Sequence, residues 1–135
     1  MAKSYFTVEE ATEALVAVRP LAEQMVAHRR ALVAATARRE RLAKLVAGNG
    51  GDIPPRKLAE AQAEMEAAAK GIARCIERIQ QLGALVKDIA RGLVDFPALR
   101  GEDEEVLLCW QVGEPEIRYW HGPEEGFAGR RELPL

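Results

Sequence analysis

Apolar positions in the first third of the chain recur at alternating steps of three and four: Val8, Ala11, Leu15, Val18, Ala22 and Met25. That spacing lines one face of an α-helix. Thr7-Val8-Glu9-Glu10 marks its start as a capping box, in which the Thr7 hydroxyl accepts from the Glu10 amide and the Glu10 carboxylate reaches back. Phe6 stands before the cap, in the place of a hydrophobic staple. Pro20 removes one backbone donor and predicts a kink near Val16 to Arg19. From Ala27 to Val46 the chain stays rich in Ala, Arg and Leu, so a first helix is assigned to residues 7–47. Arg29 and Thr36 blur its seam.

Gly48-Asn49-Gly50-Gly51-Asp52 reads as a helix stop and turn, and Pro54-Pro55 as the opening of a second helix. The strongest pattern follows. Leu58, Ala61, Met65, Ala68, Ile72, Cys75, Ile79, Leu82, Val86, Ile89 and Leu93 keep the same alternation, which predicts a coiled-coil seam over residues 54–92 with Gly92 at its end. Each helix would be roughly 50–60 Å long, and the short loop makes the pair antiparallel. Leu32, Val33, Ile76 and Leu85 lie off the seam. A lone hairpin of this size lacks a sufficient core, so a homodimer completing a four-helix arrangement is expected.

Residues 93–135 change character. Val106 to Val112 and Ile117 to His121 read as strands around the loop Gly113-Glu114-Pro115-Glu116. With an even loop, parity places Val106, Leu108, Trp110 and Val112 on one side with Ile117, Tyr119 and His121. Leu107, Cys109 and Gln111 then share the other side with Arg118 and Trp120. Asp95-Phe96-Pro97 is expected to form a turn leaving the helix, its aspartate capping that turn. Ser4-Tyr5-Phe6 is a candidate edge strand. The expected fold is therefore mostly α, one domain over residues 1–135: an antiparallel two-helix coiled-coil hairpin with a small C-terminal β-hairpin unit.

Several stretches also resemble a known family. They are Phe6-Thr7-Val8-Glu9-Glu10-Ala11, Gly92-Leu93-Val94-Asp95-Phe96-Pro97, the run from Leu108 to Ile117, Trp120-His121, and Gly126-Phe127-Ala128-Gly129-Arg130. Together they are similar to a prokaryotic family termed domain of unknown function 2203, over nearly the whole chain. The resemblance implies a stand-alone bacterial or archaeal protein and no particular activity. Relatives often carry an acidic residue directly after the histidine, where Gly122 stands here.

Composition narrows the class. At 48% apolar and 30% charged residues the chain is expected to be an ordinary soluble protein and not a disordered one. No run of about 18 apolar residues is present, so no membrane span is expected. The N-terminal residues lack an apolar signal core. Cys75 and Cys109 are too few for a disulfide scaffold, and a reduced, cytoplasmic setting is expected.

Net charge is −2 but unevenly spread. Residues 28–44 carry Arg29, Arg30, Arg38, Arg39, Arg41 and Lys44 against Glu40 alone, the one feature that would attract a polyanion. Glu60, Glu64 and Glu66 stand nearby in an antiparallel pairing, and the pI near 5.8 argues against a dedicated nucleic-acid binder.

Candidate chemistry concentrates in the C-terminal third. His121 reads first as a histidine hydrogen-bonded at the edge of a small aromatic core, and second as a metal ligand or general base with Asp95, Glu114 or Glu125 as carboxylate partner. Cys109 and His121 fall on opposite faces in the even-loop register, and no CxxC or HxxxH spacing occurs, so neither a metal nor another cofactor is expected. Trp110, Tyr119, Trp120 and Phe127 read first as the core of a small β unit and second as a stacking platform. Gly126 to Arg131 reads first as a glycine turn with solvated arginines and second as amides and guanidinium groups for an anion. The candidate binding residues are thus Asp95, Trp110, Glu114, Trp120, His121 and Arg130, at least three of which are expected to share one partly exposed concavity.

Three functions follow. The first is a non-enzymatic module binding a small molecule or a protein at the end where the N-terminus, Asp95 and the hairpin meet. The second is a hydrolase-like or metal-assisted enzyme using His121 with Asp95 or Glu114. The third is a polyanion-binding helical protein. On the first, removal of His121 should cost less than about 1.5 kcal/mol of stability.

Overall fold

Helix α1 begins where its capping box stands. The Thr7 amide donates to Glu10 Oε1 at 2.9 Å and the Glu10 amide to Thr7 Oγ1 at 3.0 Å. In the computed structural model, which describes residues 4–49 and 54–135, α1 runs Val8–Asn49 and α2 runs Pro55–Gln81. The turn expected at residues 50–52 lies outside the described residues. Pro20 is accommodated within a continuous α1, and the half-buried Thr36 satisfies its hydroxyl on the Leu32 carbonyl at 2.7 Å. The helices are antiparallel, since Gly71 lies against the His28 ring and Arg38 pairs with Glu64. Small residues fill the seam on α2: Ala61, Ala68, Gly71 and Cys75 are buried there.

The second helix is shorter than its apolar spacing predicts. Leu82 ends it, and Gly83 follows at φ 93°, in the left-handed region that favours glycine. The Gly83 amide donates to Gln80 O at 2.9 Å and the Ala84 amide to Ile79 O at 3.2 Å. That is a Schellman stop, and its apolar clasp is present because Ile79 and Ala84 share the core. Beyond it the chain is extended. Five strands form one antiparallel sheet in chain order: β1 Leu85–Asp88, β2 Leu93–Arg100, β3 Glu104–Gln111, β4 Tyr119–His121 and β5 Arg131–Glu132.

The small β-hairpin appendage is thus corrected to a five-stranded sheet, with the last stretch of the expected coiled coil absorbed into it. The sheet also supplies the apolar cover for the helices. Val94, Phe96, Ala98, Val106, Leu108, Trp110 and Trp120 pack on Ala11, Leu15, Val18, Ala22 and Ile79. A second copy is therefore not required to build the core.

Asp95-Phe96-Pro97 is no turn; it is the middle of β2. A proline is tolerated there because β1 reaches only as far as Asp95, paired with Leu85. Beyond that pairing the Phe6 amide donates to the Pro97 carbonyl at 2.7 Å, and the Phe6 ring meets Phe96 edge-on at 5.4 Å. Ser4 to Phe6 contribute this contact without forming a strand. Among the described residues no helix is long and apolar enough to cross a membrane.

Candidate functional site

Register decides which side chains meet. In β3 and β4, Leu107 faces His121, Leu108 faces Trp120 and Cys109 faces Tyr119. Strand β4 starts at Tyr119, two residues later than the tight hairpin predicts, and the pairing shifts by one. Parity then exchanges the faces. Trp120 joins Leu108 on the helix side, while His121 joins Cys109 on the opposite side. Asp95, paired with Cys109 across β2 and β3, lies on that side too. The separation of Cys109 from His121 is corrected: with Asp95 they form a buried cluster whose ligand-type atoms all lie within 4.8 Å of one another.

His121 Nε2 is 3.0 Å from Asp95 Oδ2, and His121 Nδ1 is 2.8 Å from the Gly122 carbonyl oxygen. A carbonyl only accepts, so Nδ1 carries a hydrogen and donates it. Nε2 and Oδ2 then face each other as two lone-pair groups unless one further cation lies between them. With a proton there, the pair is either imidazolium with carboxylate or imidazole with carboxylic acid. Both side chains are buried, at 4% and 0% exposure. Asp95 Oδ1 has no partner at hydrogen-bonding geometry.

Burial pushes the Asp95 carboxyl up from its ordinary value, opposed by the His121 charge and hydrogen bond, by a weak thiol interaction from Cys109, and by Lys87. The Cys109 thiol is pushed up to about 12 by burial and by the Asp95 charge, with Arg130 acting in the other direction.

Above this pair opens a cavity of about 240 Å³. Asp95 and His121 line it with Leu93 and Leu107, and β1 with its following turn contributes Lys87, Asp88 and Arg91. Pro123, Glu125, Gly126 and Phe127 close the far wall. Glu125 fastens that wall: its carboxylate accepts from the Gly122 amide at 3.0 Å and from Arg131 at 3.1 Å. The Gly122 hydrogen bond is the main reason its carboxyl lies below the ordinary value.

The other candidate residues separate. Trp110 and Trp120 lie in the helix-side core, the first donating from Nε1 to the Glu114 carbonyl at 2.9 Å, the second with its indole nitrogen unpartnered. Arg130 Nη2 lies 2.6 and 2.9 Å from the two carboxylate oxygens of Glu114, and the same nitrogen is 3.2 Å from the Cys109 carbonyl oxygen, to which it donates. Of the six, only Asp95 and His121 line this cavity. Arg130 and Arg131 are both answered by carboxylates, so the glycine-rich segment is not an open anion cradle. Lys87 and Arg91 were hidden by the helical assignment of that stretch.

The Arg-rich face of α1 is exposed at Arg29, Arg30, Arg39 and Arg41, while Arg38 pairs with Glu64.

The chain belongs to the family described as uncharacterized conserved protein (DUF2203), whose model matches residues 4–133. No curated protein and no solved structure matches it.

Proposed function

For this member of the family we propose a small-molecule-binding function, with the ligand seated in the cavity over Asp95 and His121. The observation that carries it is a buried acid–base pair, one carboxylate oxygen unpartnered, in the lining of an open cavity. Buried polar atoms in folded proteins are almost always satisfied, so an orphan oxygen beside a cavity points to something that enters it. Among the described residues Lys87 and Arg91 form no ion pair with a carboxylate, although Arg91 lies over the Phe127 ring at 4.9 Å. They favour an anionic group on the ligand. At about 240 Å³ the space is below the roughly 300–1,000 Å³ of clefts for drug-sized molecules, so the ligand is a small acid or phosphate.

Catalysis by His121 as a free base is less well supported. Both its ring nitrogens are engaged, whereas a general base needs one within reach of the proton that it takes. The two buried, unpaired cysteines support a reducing, cytoplasmic setting.

Thermal shift against inorganic phosphate, malate and glycerol 3-phosphate tests the proposal. A ligand at ten times its dissociation constant stabilises by about 1.4 kcal/mol, a rise of a few degrees. At least one such anion should raise the melting temperature, and Lys87→Ala with Arg91→Ala should abolish the rise. No stabilisation by any small anion, or a rise unchanged in the double variant, would overturn it.

A further inference from the structure

We propose that Asp95, Cys109 and His121 form a binding site for one divalent transition-metal cation, of which zinc is the best match. The proposal deepens the small-molecule site above, because the cation would occupy the lining of the same cavity.

Three neighbouring strands each supply one ligand: Asp95 from β2, Cys109 from β3 and His121 from β4. Sulfur, imidazole nitrogen and carboxylate oxygen are the three donors that zinc accepts, and the thiolate disfavours magnesium and calcium. The imidazole is already oriented for the task. Its Nδ1–H is held by the Gly122 carbonyl, which is the outer bond that metal-ligating histidines characteristically make. Nε2 is left to present a lone pair toward Asp95 Oδ2 at 3.0 Å. A cation is what two opposed lone pairs require, and a metal ion answers that requirement as a proton does.

Asp95 Oδ1, fully buried and unpartnered, is a second and independent sign. Metal–ligand bonds of about 2.0–2.3 Å in a tetrahedron put neighbouring donor atoms roughly 3.2–3.8 Å apart. The Nε2–Oδ2 pair is near that spacing, and no pair exceeds 4.8 Å, so closure takes about 1–1.5 Å at most. Charge also balances. A carboxylate, a thiolate and a dication sum to zero, which burial favours, and the charge of adjacent Arg130 is already answered by Glu114. Asp95 and His121 line the cavity, and Cys109, buried beside them, is not part of its lining. That leaves the cavity side for access and for a fourth ligand, the arrangement of an open rather than a closed zinc site.

Cobalt(II) titration of the full chain, stripped with chelator and kept reduced, provides the test. Expected are one cobalt per chain, a thiolate-to-cobalt charge-transfer band, and displacement of the band by zinc. Cys109→Ser should abolish the band and weaken zinc by at least about 100-fold, since loss of an outer-shell partner alone costs 10–100-fold. Cys75→Ser should leave both unchanged. Should Cys109→Ser fail to fold by circular dichroism, native mass spectrometry of the unaltered chain decides, with stoichiometric zinc removed by chelator supporting the site. Folded wild type without a thiolate band, or a band that persists in folded Cys109→Ser, would overturn it. The small-anion proposal fails separately: a cobalt band with no anion stabilisation, in metal-free or zinc-loaded protein, sinks that proposal and keeps this one. Anion stabilisation without the band does the reverse.

Discussion

The imidazole of His121 and the carboxyl of Asp95 meet at 3.0 Å across 26 residues of chain, while the Gly122 carbonyl holds the far ring nitrogen. The relationship sets an unequal response to mutation. Asp95→Asn can place an amide N–H on the Nε2 lone pair, so the bond survives without a shared proton. Removing His121 strands a buried carboxyl with no partner, and breaking a buried pair costs about 3–5 kcal/mol. In chelator-treated protein, His121→Ala should lose about 3 kcal/mol or more by urea denaturation, and Asp95→Asn less than about 1.5. That reverses the small loss expected of an exposed histidine, because the ring is buried. Equal losses would show that the pair is not held by this bond.

Ile79 is fully buried where α2 ends against the sheet. Ile79→Asp puts a carboxylate among apolar side chains, at a cost of several kcal/mol against the 5–15 that holds a typical domain. The variant should lose its cooperative melt or unfold outright by circular dichroism. A melting temperature within a few degrees of the parent would contradict the packing.

Three glycines with positive φ separate strain from crowding. Gly101 is open on all sides, a Cβ at Gly83 would meet the Phe6 ring at 3.1 Å, and one at Gly92 would run into the Val112 and Val26 side chains. Left-handed backbone alone costs an alanine about 1–2 kcal/mol. Stability should fall in the order Gly101→Ala, Gly83→Ala, Gly92→Ala, the last by clearly more than the first. Equal losses at all three would mean that only the backbone term operates.

How much of this was legible differs by element. The capping box is local chemistry, and Thr7 and Glu10 form it as read. Helix α2 was overextended because Val86, Ile89 and Leu93 continue the three-four spacing by coincidence. Gly83 carried the contrary signal, and a Schellman stop outweighs spacing because it satisfies end carbonyls that the helix leaves open. The site was half legible. Asp95 and His121 were recognised as chemically notable, but their neighbour Cys109 depends on a one-residue register that the loop around Pro115 sets non-locally. Parity makes such an error total: one residue of slip moved Cys109 from the far face to direct proximity.

Glu125 should give the chain part of its acid sensitivity. Its folded pKa lies below the ordinary value of 4.5, chiefly through the Gly122 amide, with Arg131 also favouring the charged form. Such a group contributes stability above its unfolded pKa and loses it as pH falls through the lowered folded value. The melting-temperature gap between parent and Glu125→Ala should be widest near pH 6–7 and shrink below about pH 4. A gap independent of pH would assign the effect to packing of the loop instead.

Arg130 should resist replacement by lysine. Its guanidinium makes two bonds to Glu114, donates to the Cys109 carbonyl, and lies 4.1 Å from the Tyr119 ring centroid and 4.7 Å from that of Phe127. With 10% and 17% of the side chains exposed, Arg130 and Glu114 are far less screened than Arg118 and Glu116, at 55% and 64%. An ammonium keeps the charge but lacks the planar, weakly hydrated guanidinium that lies over both rings. Arg130→Lys should therefore lose about 1–3 kcal/mol, and a double-mutant cycle of Arg130→Ala with Glu114→Ala should give a coupling above about 1 kcal/mol. The same cycle on Arg118 and Glu116 should stay below about 0.5 kcal/mol, as expected of an exposed pair. Equal couplings for the two pairs, or a lysine variant as stable as the parent, would show that Arg130 supplies charge alone and does not order the strand that carries Cys109.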